Sequence, residues 1–251
     1  MPASVTLVRA DNPGPMTLEG TNTWLIAGPD GLLVVDPGPL DEGHLRRVAE
    51  HGPVAGILLT HRHPDHAEGA ARFARLTGAP VLDRATLEEG LADGAVLGPL
   101  RVLHTPGHTA DSISFVLDAG PDGDAPAVLT GDTILGRGTT VVAHPDGDLR
   151  AYLASLRRLA DLGDLTVLPG HGPVLASVRA VATSYLEHRA NRLEQVRAAL
   201  AAGDRTAREV VRRVYHDVDR AVWPAAELSV RAQLAYLAEP ADPDGPAEPA
   251  D

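Results

Sequence analysis

Three imidazoles and one carboxylate lie close together in the run Thr60-His61-Arg62-His63-Pro64-Asp65-His66. The apolar residues 54–59 precede this run, which indicates a buried strand that ends in a polar loop. Neutral imidazole and carboxylate groups are ligands that suit zinc and similar divalent ions. So short a loop cannot aim all four groups at one ion. Its first two imidazoles can serve one metal, while the carboxylate and the last imidazole serve a second. The alternative interpretation is a solvated, His-rich turn.

Three more potential ligands follow later apolar segments of the chain: His108, Asp132 and His171. They lie in the motifs Thr-Pro-Gly-His-Thr, Gly-Asp-Thr and Pro-Gly-His-Gly. Each is weak evidence alone, because a single His or Asp after a strand is commonly a cap or a hydrogen-bonded polar group. Together with the first run they give seven side chains at the ends of predicted strands. Because such loops gather at one edge of a sheet, the pattern predicts a metal site there.

The ordered motifs T-H-x-H-x-D-H, T-P-G-H-T, G-D-T and P-G-H-G resemble those of the metallo-β-lactamase superfamily. The resemblance implies an α+β fold, with an αββα sandwich as the catalytic domain. The implied ligands are His61, His63 and His108 for a first metal, and Asp65, His66 and His171 for a second. Asp132 is implied as the bridge between the two metals.

Three further segments resemble the β-lactamase-like protein 2 group: residues 12–24, residues 131–140 and Tyr185-x-x-His188-Arg189-x-x-Arg192. Members of this group join a metallo-hydrolase domain to a small, helical, winged-helix-like C-terminal domain. Some members are implicated as single-stranded RNA endonucleases, and related fungal proteins act as thioesterases on carrier-bound polyketides.

The chemistry that this resemblance implies is that of a binuclear zinc hydrolase, with other divalent metals as alternatives. A metal-bridging hydroxide would attack a small ester or thioester. Asp65 and Asp132 are the expected catalytic carboxylates, with Asp65 orienting the hydroxide and passing on its proton. The alternatives are a single-stranded RNA endoribonuclease and a non-catalytic nucleic-acid-binding regulator. The complete ligand set argues against the regulator.

Four residues are expected to contact substrate. Asn22 and Thr139 lie in turns of small polar residues, which either line the substrate mouth or are ordinary turns. His188 and Arg189 either reach the site to hold an anionic group or lie on a solvated helix face.

Other polar residues lie outside the ligand motifs. Asp36 either orients a ligating imidazole or caps the turn that follows it. His44, His51 and His216 are expected on the surface.

Composition restricts the classes of function. The 251 residues include no Cys, which excludes disulfides, thiol nucleophiles and Cys metal ligands, and all 22 basic residues are Arg. The net charge is −12 and uneven. Residues 1–176 carry 22 acidic residues and 12 Arg, whereas residues 177–238 carry seven acidic residues and ten Arg. An acidic catalytic domain favours an acyl substrate over a polyphosphate.

The chain divides into three predicted parts. Residues 1–176 form the metallo-β-lactamase-like catalytic domain, with one continuous helix expected over residues 67–77. Residues 177–238 form the winged-helix-like domain, expected to shape substrate choice or to dimerise the protein rather than to bind nucleic acid. Residues 239–251 are acidic and rich in Pro, as disordered tails are. We expect a cytoplasmic protein with no membrane partner, because neither a signal peptide nor a long apolar run is present.

Overall fold

The computed structural model describes residues 2–82, 91–119 and 125–239, and this part of the chain contains two five-stranded sheets. In spatial order the first sheet contains β1 (Val5–Arg9), β2 (Asn22–Gly28), β3 (Gly31–Val35), β4 (Val54–Leu58) and β5 (Val81–Leu82). The second contains β10 (Thr166–Pro169), β9 (Ala127–Gly131), β8 (Ile113–Leu117), β7 (Leu100–His104) and β6 (Val96–Leu97). The helices are α1 (Glu42–Ala49), α2 (Pro64–Ala67), α3 (Ala70–Thr77), α4 (Leu149–Asp161), α5 (Val178–Ala201), α6 (Ala207–Val214) and α7 (Trp223–Ala238).

Both sheets are mixed. In the first sheet β1, β2 and β3 pair antiparallel, while β3, β4 and β5 pair parallel. In the second sheet β6 to β9 pair antiparallel, and β9 pairs parallel with β10. Parallel pairing needs a crossover connection, which α1 supplies between β3 and β4, and α4 between β9 and β10. The crossovers leave the carboxyl ends of the parallel strands at one edge of each sheet.

The sheets pack against each other through alternate residues of their strands. Trp24 and Ile26 of β2 belong to the same buried cluster as Phe115 of β8 and Leu129 of β9. Leu25 points to the other face of its sheet, into the cluster that α1 and α3 form there. This alternation is what a strand with a period of two residues requires when both of its faces are covered.

The second sheet is covered by α4 and by the first half of α5. Val128 and Val167 share a buried cluster with Tyr152 and Leu156 of α4, and Val178 of α5 belongs to it as well. These layers form an αββα sandwich, so the predicted α+β fold is confirmed. The second half of α5 packs against α6 and α7. The long helix therefore connects the sandwich to the C-terminal helices through continuous apolar packing, and the boundary at residue 176 stays a prediction.

The helix expected over residues 67–77 is interrupted. α2 ends at Ala67 and α3 begins at Ala70, with Gly69 between them. The Gly69 amide donates to the Gly38 carbonyl oxygen at 2.9 Å, and a Cβ at Gly69 would stand 2.8 Å from the Pro39 carbonyl oxygen. The close approach of the two backbones thus separates α2 from α3, and the prediction of one continuous helix over residues 67–77 was wrong.

Residues that favour the start of a helix lie at the beginnings of α6 and α7. Thr206 caps α6 in a capping box with Glu209, and Pro224 lies in the first turn of α7. Among the described residues, no helix is both long enough and apolar enough to span a bilayer. Residues 240–251, which make up nearly all of the predicted tail, lie outside the described part of the chain.

Candidate metal centre

The seven potential ligands come from four loops that follow strands. The first run of ligands lies after β4 and opens α2, His108 lies after β7, Asp132 directly after β9, and His171 after β10. Because strands from both sheets end at the same side of the sandwich, residues more than 100 positions apart come into contact. The Nε2 atoms of His66 and His171 are 3.1 Å apart.

The first group of ligands contains His61, His63, His108 and Asp132, whose donor atoms all lie within 4.8 Å of one another. His63 Nδ1 lies 2.9 Å from His61 Nε2 and 3.1 Å from His108 Nε2. Asp132 Oδ2 lies 3.8 Å from His108 Nε2.

The second group contains Asp65, His66 and His171. His171 Nε2 lies 3.1 Å from Asp65 Oδ2, and His66 Nε2 lies 3.5 Å from the same oxygen. Asp132 faces this group too, with Oδ1 3.4 Å from His66 Nε2 and Oδ2 3.5 Å from His171 Nε2. Its carboxylate therefore stands between the two groups.

The donor chemistry of both groups fits divalent cations. Four of the imidazoles have their Nδ1 atom within hydrogen-bond distance of an oxygen. The pairs are His61 with Thr60, His66 with Asp36, His108 with Val141, and His171 with Gly20. An Nδ1–H donor leaves a lone pair on Nε2, so these lone pairs face one another across the site. Nitrogen ligands about 2.0–2.1 Å from a tetrahedral zinc ion stand roughly 3.3 Å apart, close to the separations observed. Asp132 Oδ1 is buried and accepts no hydrogen bond from the described residues, and a bound cation would take its free lone pair.

The pKa values of the ligand side chains follow from the burial of opposite charges close together. Burial alone would raise the pKa of Asp132, but His66 and His171 hold it well below its ordinary value. Burial would lower the pKa of His171, but Asp132 and Asp65 raise it to about 9. For His61 burial dominates and lowers the pKa well below its ordinary value. A pKa of about 9 leaves His171 protonated at neutral pH, so a divalent cation would bind beside the ionised carboxylates in place of that proton.

One buried carboxylate supports both groups. Asp36 accepts hydrogen bonds from the Thr60 amide at 2.8 Å and from the Thr60 hydroxyl at 2.7 Å, and it lies 2.8 Å from His66 Nδ1. Since the Thr60 hydroxyl proton goes to Asp36, its oxygen accepts from His61 Nδ1 at 3.0 Å. Of the two roles considered for Asp36, the structure shows the contact with an imidazole of the centre.

A family model described as "Metallo-beta-lactamase superfamily" matches residues 16–82 and 81–171, which includes every loop of the centre. The chain belongs to this superfamily. A second model, "Beta-lactamase associated winged helix domain", matches residues 206–239, which contain α6 and α7. Membership in the superfamily makes the protein a hydrolase with a metal-binding site, and the second match assigns residues 206–239 to a winged-helix domain.

Three proteins with similar sequences or structures show which members of the superfamily this chain resembles. The "Beta-lactamase-like protein 2 homolog" of Caenorhabditis elegans is 32% identical, over 93% of this chain and 84% of its own. The "Atrochrysone carboxyl ACP thioesterase" of Aspergillus chevalieri is 33% identical, over 85% of this chain and 74% of its own. The crystal structure of a metallo-beta-lactamase family protein from Thermus thermophilus matches with a TM-score of 0.76, at 28% identity over 93% of each chain.

The residues expected to contact substrate lie in different environments. Asn22 is fully buried, and its amide donates to the carbonyl oxygens of Pro169 and Gly172 at 3.0 and 2.9 Å. Asn22 thus holds the loop that carries His171 and does not line an open mouth. Thr139 is half-buried.

The two C-terminal residues of that set also differ from each other. Arg189 is buried, donates to the Thr140 carbonyl oxygen, and places its guanidinium 5.2 Å from the Tyr152 ring centre. It therefore joins α5 to the sandwich and does not lie on a solvated helix face. His188 is half-buried, and burial lowers its pKa.

His44 was expected on the surface, and this was wrong. It is fully buried beneath residues 36–38, and its Nε2 lies 2.9 Å from Thr23 Oγ1. The sequence held a signal for this, because the helical period places His44 beside Leu45 and Val48, the buried face of α1.

Burial of His44 makes stability depend on pH. Burial lowers its pKa to about 4, below the ordinary value of 6.5 that the unfolded chain has. Between these values the unfolded state binds more protons than the folded state, so stability is lost as pH falls through this window. Because glutamine does not titrate, we expect the free energy of unfolding of His44→Gln to fall less steeply with decreasing pH than that of the wild type. Urea denaturation at several pH values between about 4 and 7 measures it, and identical slopes for variant and wild type would contradict the assignment.

Proposed function

We propose that the protein is a binuclear zinc hydrolase of small thioesters or esters. The observation that carries the proposal is the position of Asp132, whose two oxygens face nitrogens of both ligand groups at 3.4 to 3.8 Å. In the proposal, His61, His63 and His108 would hold the first ion, Asp65, His66 and His171 would hold the second, and Asp132 would serve both. The chemistry that two bound zinc ions supply is activation of water and stabilisation of negative charge on the reacting carbonyl oxygen.

Five imidazoles and two carboxylates, without any thiol, make up the proposed donor set. Such ligands suit zinc, although iron and other divalent metals accept similar sets. We expect two zinc ions per chain after expression with zinc supplied, measured by elemental analysis of the purified protein. One ion or none would contradict the binuclear assignment.

Asp65 is the proposed proton carrier. Its side chain keeps 27% exposure, while those of His66 and His171 are fully buried, so it is the member of the second group that solvent reaches. Burial would raise its pKa, but the hydrogen bond with His171 and the charge of His66 lower it, so the group is ionised at neutral pH. An ionised, accessible carboxylate can accept the proton of the attacking water and deliver it to the leaving thiolate.

The charge distribution supports an acyl substrate. Residues 1–176 carry ten more acidic residues than Arg, which opposes the approach of a polyanion such as RNA. The A. chevalieri relative bears a thioesterase name, and its similarity extends over 85% of this chain. A single-stranded RNA remains a comparison substrate for the test.

The assay compares acyl-thioesters and aryl esters with a single-stranded RNA oligonucleotide, using zinc-loaded protein and the Asp65→Ala variant as blank. We expect thioester turnover by the wild type, reduced about 100-fold to 10,000-fold in the variant because the proton carrier, which is also a proposed ligand of the second ion, is lost. The matched control is Asp111→Ala, which removes a carboxylate beside Arg62 of the same loop region but outside both ligand groups. Cleavage of RNA that depends on Asp65, with no turnover of thioesters, would overturn the substrate assignment.

A further inference from the structure

A chain of hydrogen bonds runs from buried His44 toward the second ligand group. Thr23 Oγ1 donates to the main-chain carbonyl oxygen of Asp36 at 2.7 Å and lies 2.9 Å from His44 Nε2. A hydroxyl has one proton, and here Asp36 receives it, so the Thr23 oxygen accepts from His44 Nε2–H. On its other side, Asp36 contacts His66 through its carboxylate.

The main chain of Asp36 needs such support. Its φ of 53° lies in the left-handed region, which costs a non-glycine residue roughly 1–2 kcal/mol. Conformations of this kind persist where surrounding contacts over-determine them. The Asp36 amide donates to the Leu58 carbonyl oxygen at 2.9 Å, and the Asp36 carbonyl oxygen accepts from Thr23. A rotation of this residue would displace the carboxylate from Thr60 and His66 together.

His44 is itself held rigidly. The side chain of Asp41, the N-cap of α1, accepts from the His44 amide at 2.9 Å. A Cβ at Gly38 would stand 3.3 Å from His44 Nε2, so the ring fits closely under the turn that follows Asp36. His44 belongs to neither ligand group, which means that any effect it has on metal binding must pass through other residues.

We propose that His44, acting through Thr23, is a positioning residue that holds Asp36 in the conformation needed to orient the metal-ligating imidazoles. The inference rests on the two-metal function proposed above. It assigns a role in the centre to a residue on α1, whose position in the sequence is 17 or more residues from any ligand. Thr23 is the relay between His44 and Asp36, because its hydroxyl makes a hydrogen bond to each of them.

Paired variants test the relay through metal affinity. Thr23→Val removes the hydroxyl at nearly constant volume, whereas Thr23→Ser keeps it. His44→Leu removes the Nε2 donor, whereas His44→Gln can retain an amide N–H donor near the same position. Zinc titration against a chromogenic chelator gives the dissociation constants, with no catalytic turnover needed. Leu45→Ala, at the adjacent buried position of α1, is the control for simple loss of packing.

We expect Thr23→Val and His44→Leu to raise the dissociation constant of at least one zinc ion about tenfold. This is the lower end of the effects typical of residues that orient ligands. Thr23→Ser and His44→Gln should bind zinc as the wild type does, and Leu45→Ala should lower the melting temperature without changing zinc affinity. Unchanged affinity in Thr23→Val, or an equal loss in Leu45→Ala, would overturn the proposal. If one pair is insoluble, the other pair decides. Wild-type protein that binds fewer than two ions would instead refute the two-metal function, so the two failures are distinguishable.

Discussion

Asp132→Ala should abolish hydrolysis, with kcat/KM lower by at least about 1000-fold, the upper range for loss of one group that stabilises a transition state. The reason is the position of its carboxylate between the two ligand groups. It lies 3.8 Å from His108 of the first group, and 3.4 and 3.5 Å from His66 and His171 of the second. Its removal also leaves the lone pairs of those imidazoles facing one another without the anion between them. We therefore expect loss of at least one zinc ion, measured by elemental analysis beside steady-state kinetics on a thioester.

Asp118→Ala is the matched control for Asp132→Ala. Asp118 is an exposed carboxylate that contacts Arg101 and lies in neither ligand group, so its loss changes net charge by the same amount. We expect wild-type activity and zinc content from this control, and an unchanged far-ultraviolet circular dichroism spectrum from both variants. Full zinc content in Asp132→Ala would show that the carboxylate is not shared between the ions.

Gly170→Ala should also remove most activity, by at least about 100-fold in kcat/KM, because a misplaced ligating group is sufficient to cost that much. A Cβ at this position would stand 2.5 Å from Asp132 Oδ1 and 2.7 Å from His66 Cε1. Two main-chain hydrogen bonds hold the backbone of Gly170 in place. The Gly170 N–H donates to the Gly131 carbonyl oxygen, and the Gly170 carbonyl oxygen accepts from the main-chain N–H of Asn22. The added methyl group must therefore displace Asp132, His66 or both.

The control for Gly170→Ala is Gly43→Ala, in α1, where a Cβ would meet Asp41 Oδ1 at 3.2 Å and Arg47 Nη1 at 3.6 Å. The gain of roughly 0.5–1 kcal/mol for Gly→Ala inside a helix is opposed here by the close contact with Asp41, so the net change in stability should be small. We expect Gly43→Ala to keep its zinc and its activity. Wild-type zinc affinity in Gly170→Ala would mean that the loop after β10 adjusts more freely than its hydrogen bonds indicate.

Local sequence patterns were sufficient to predict that donor residues follow apolar strands at one edge of a sheet. The assignment of the seven donors to two metals, and the αββα sandwich, came from the resemblance of the ordered motifs to the metallo-β-lactamase superfamily. Thr206, with Glu209 three residues later, is a local capping pattern, whereas the winged-helix character of the C-terminal part came from the resemblance to the β-lactamase-like protein 2 group.

Only the tertiary structure decided which polar residues support the centre. Asn22 and Arg189 are expected to contact substrate when judged by residue type, yet they bind main-chain oxygens of distant loops. Burial of His44 and the contact between Thr23 and Asp36 depend on how β2, β3 and α1 pack. Local sequence determines where a donor can lie along the chain. Which acceptor it meets depends on contacts between residues far apart in sequence, and those exist only after the sheets and helices have packed together.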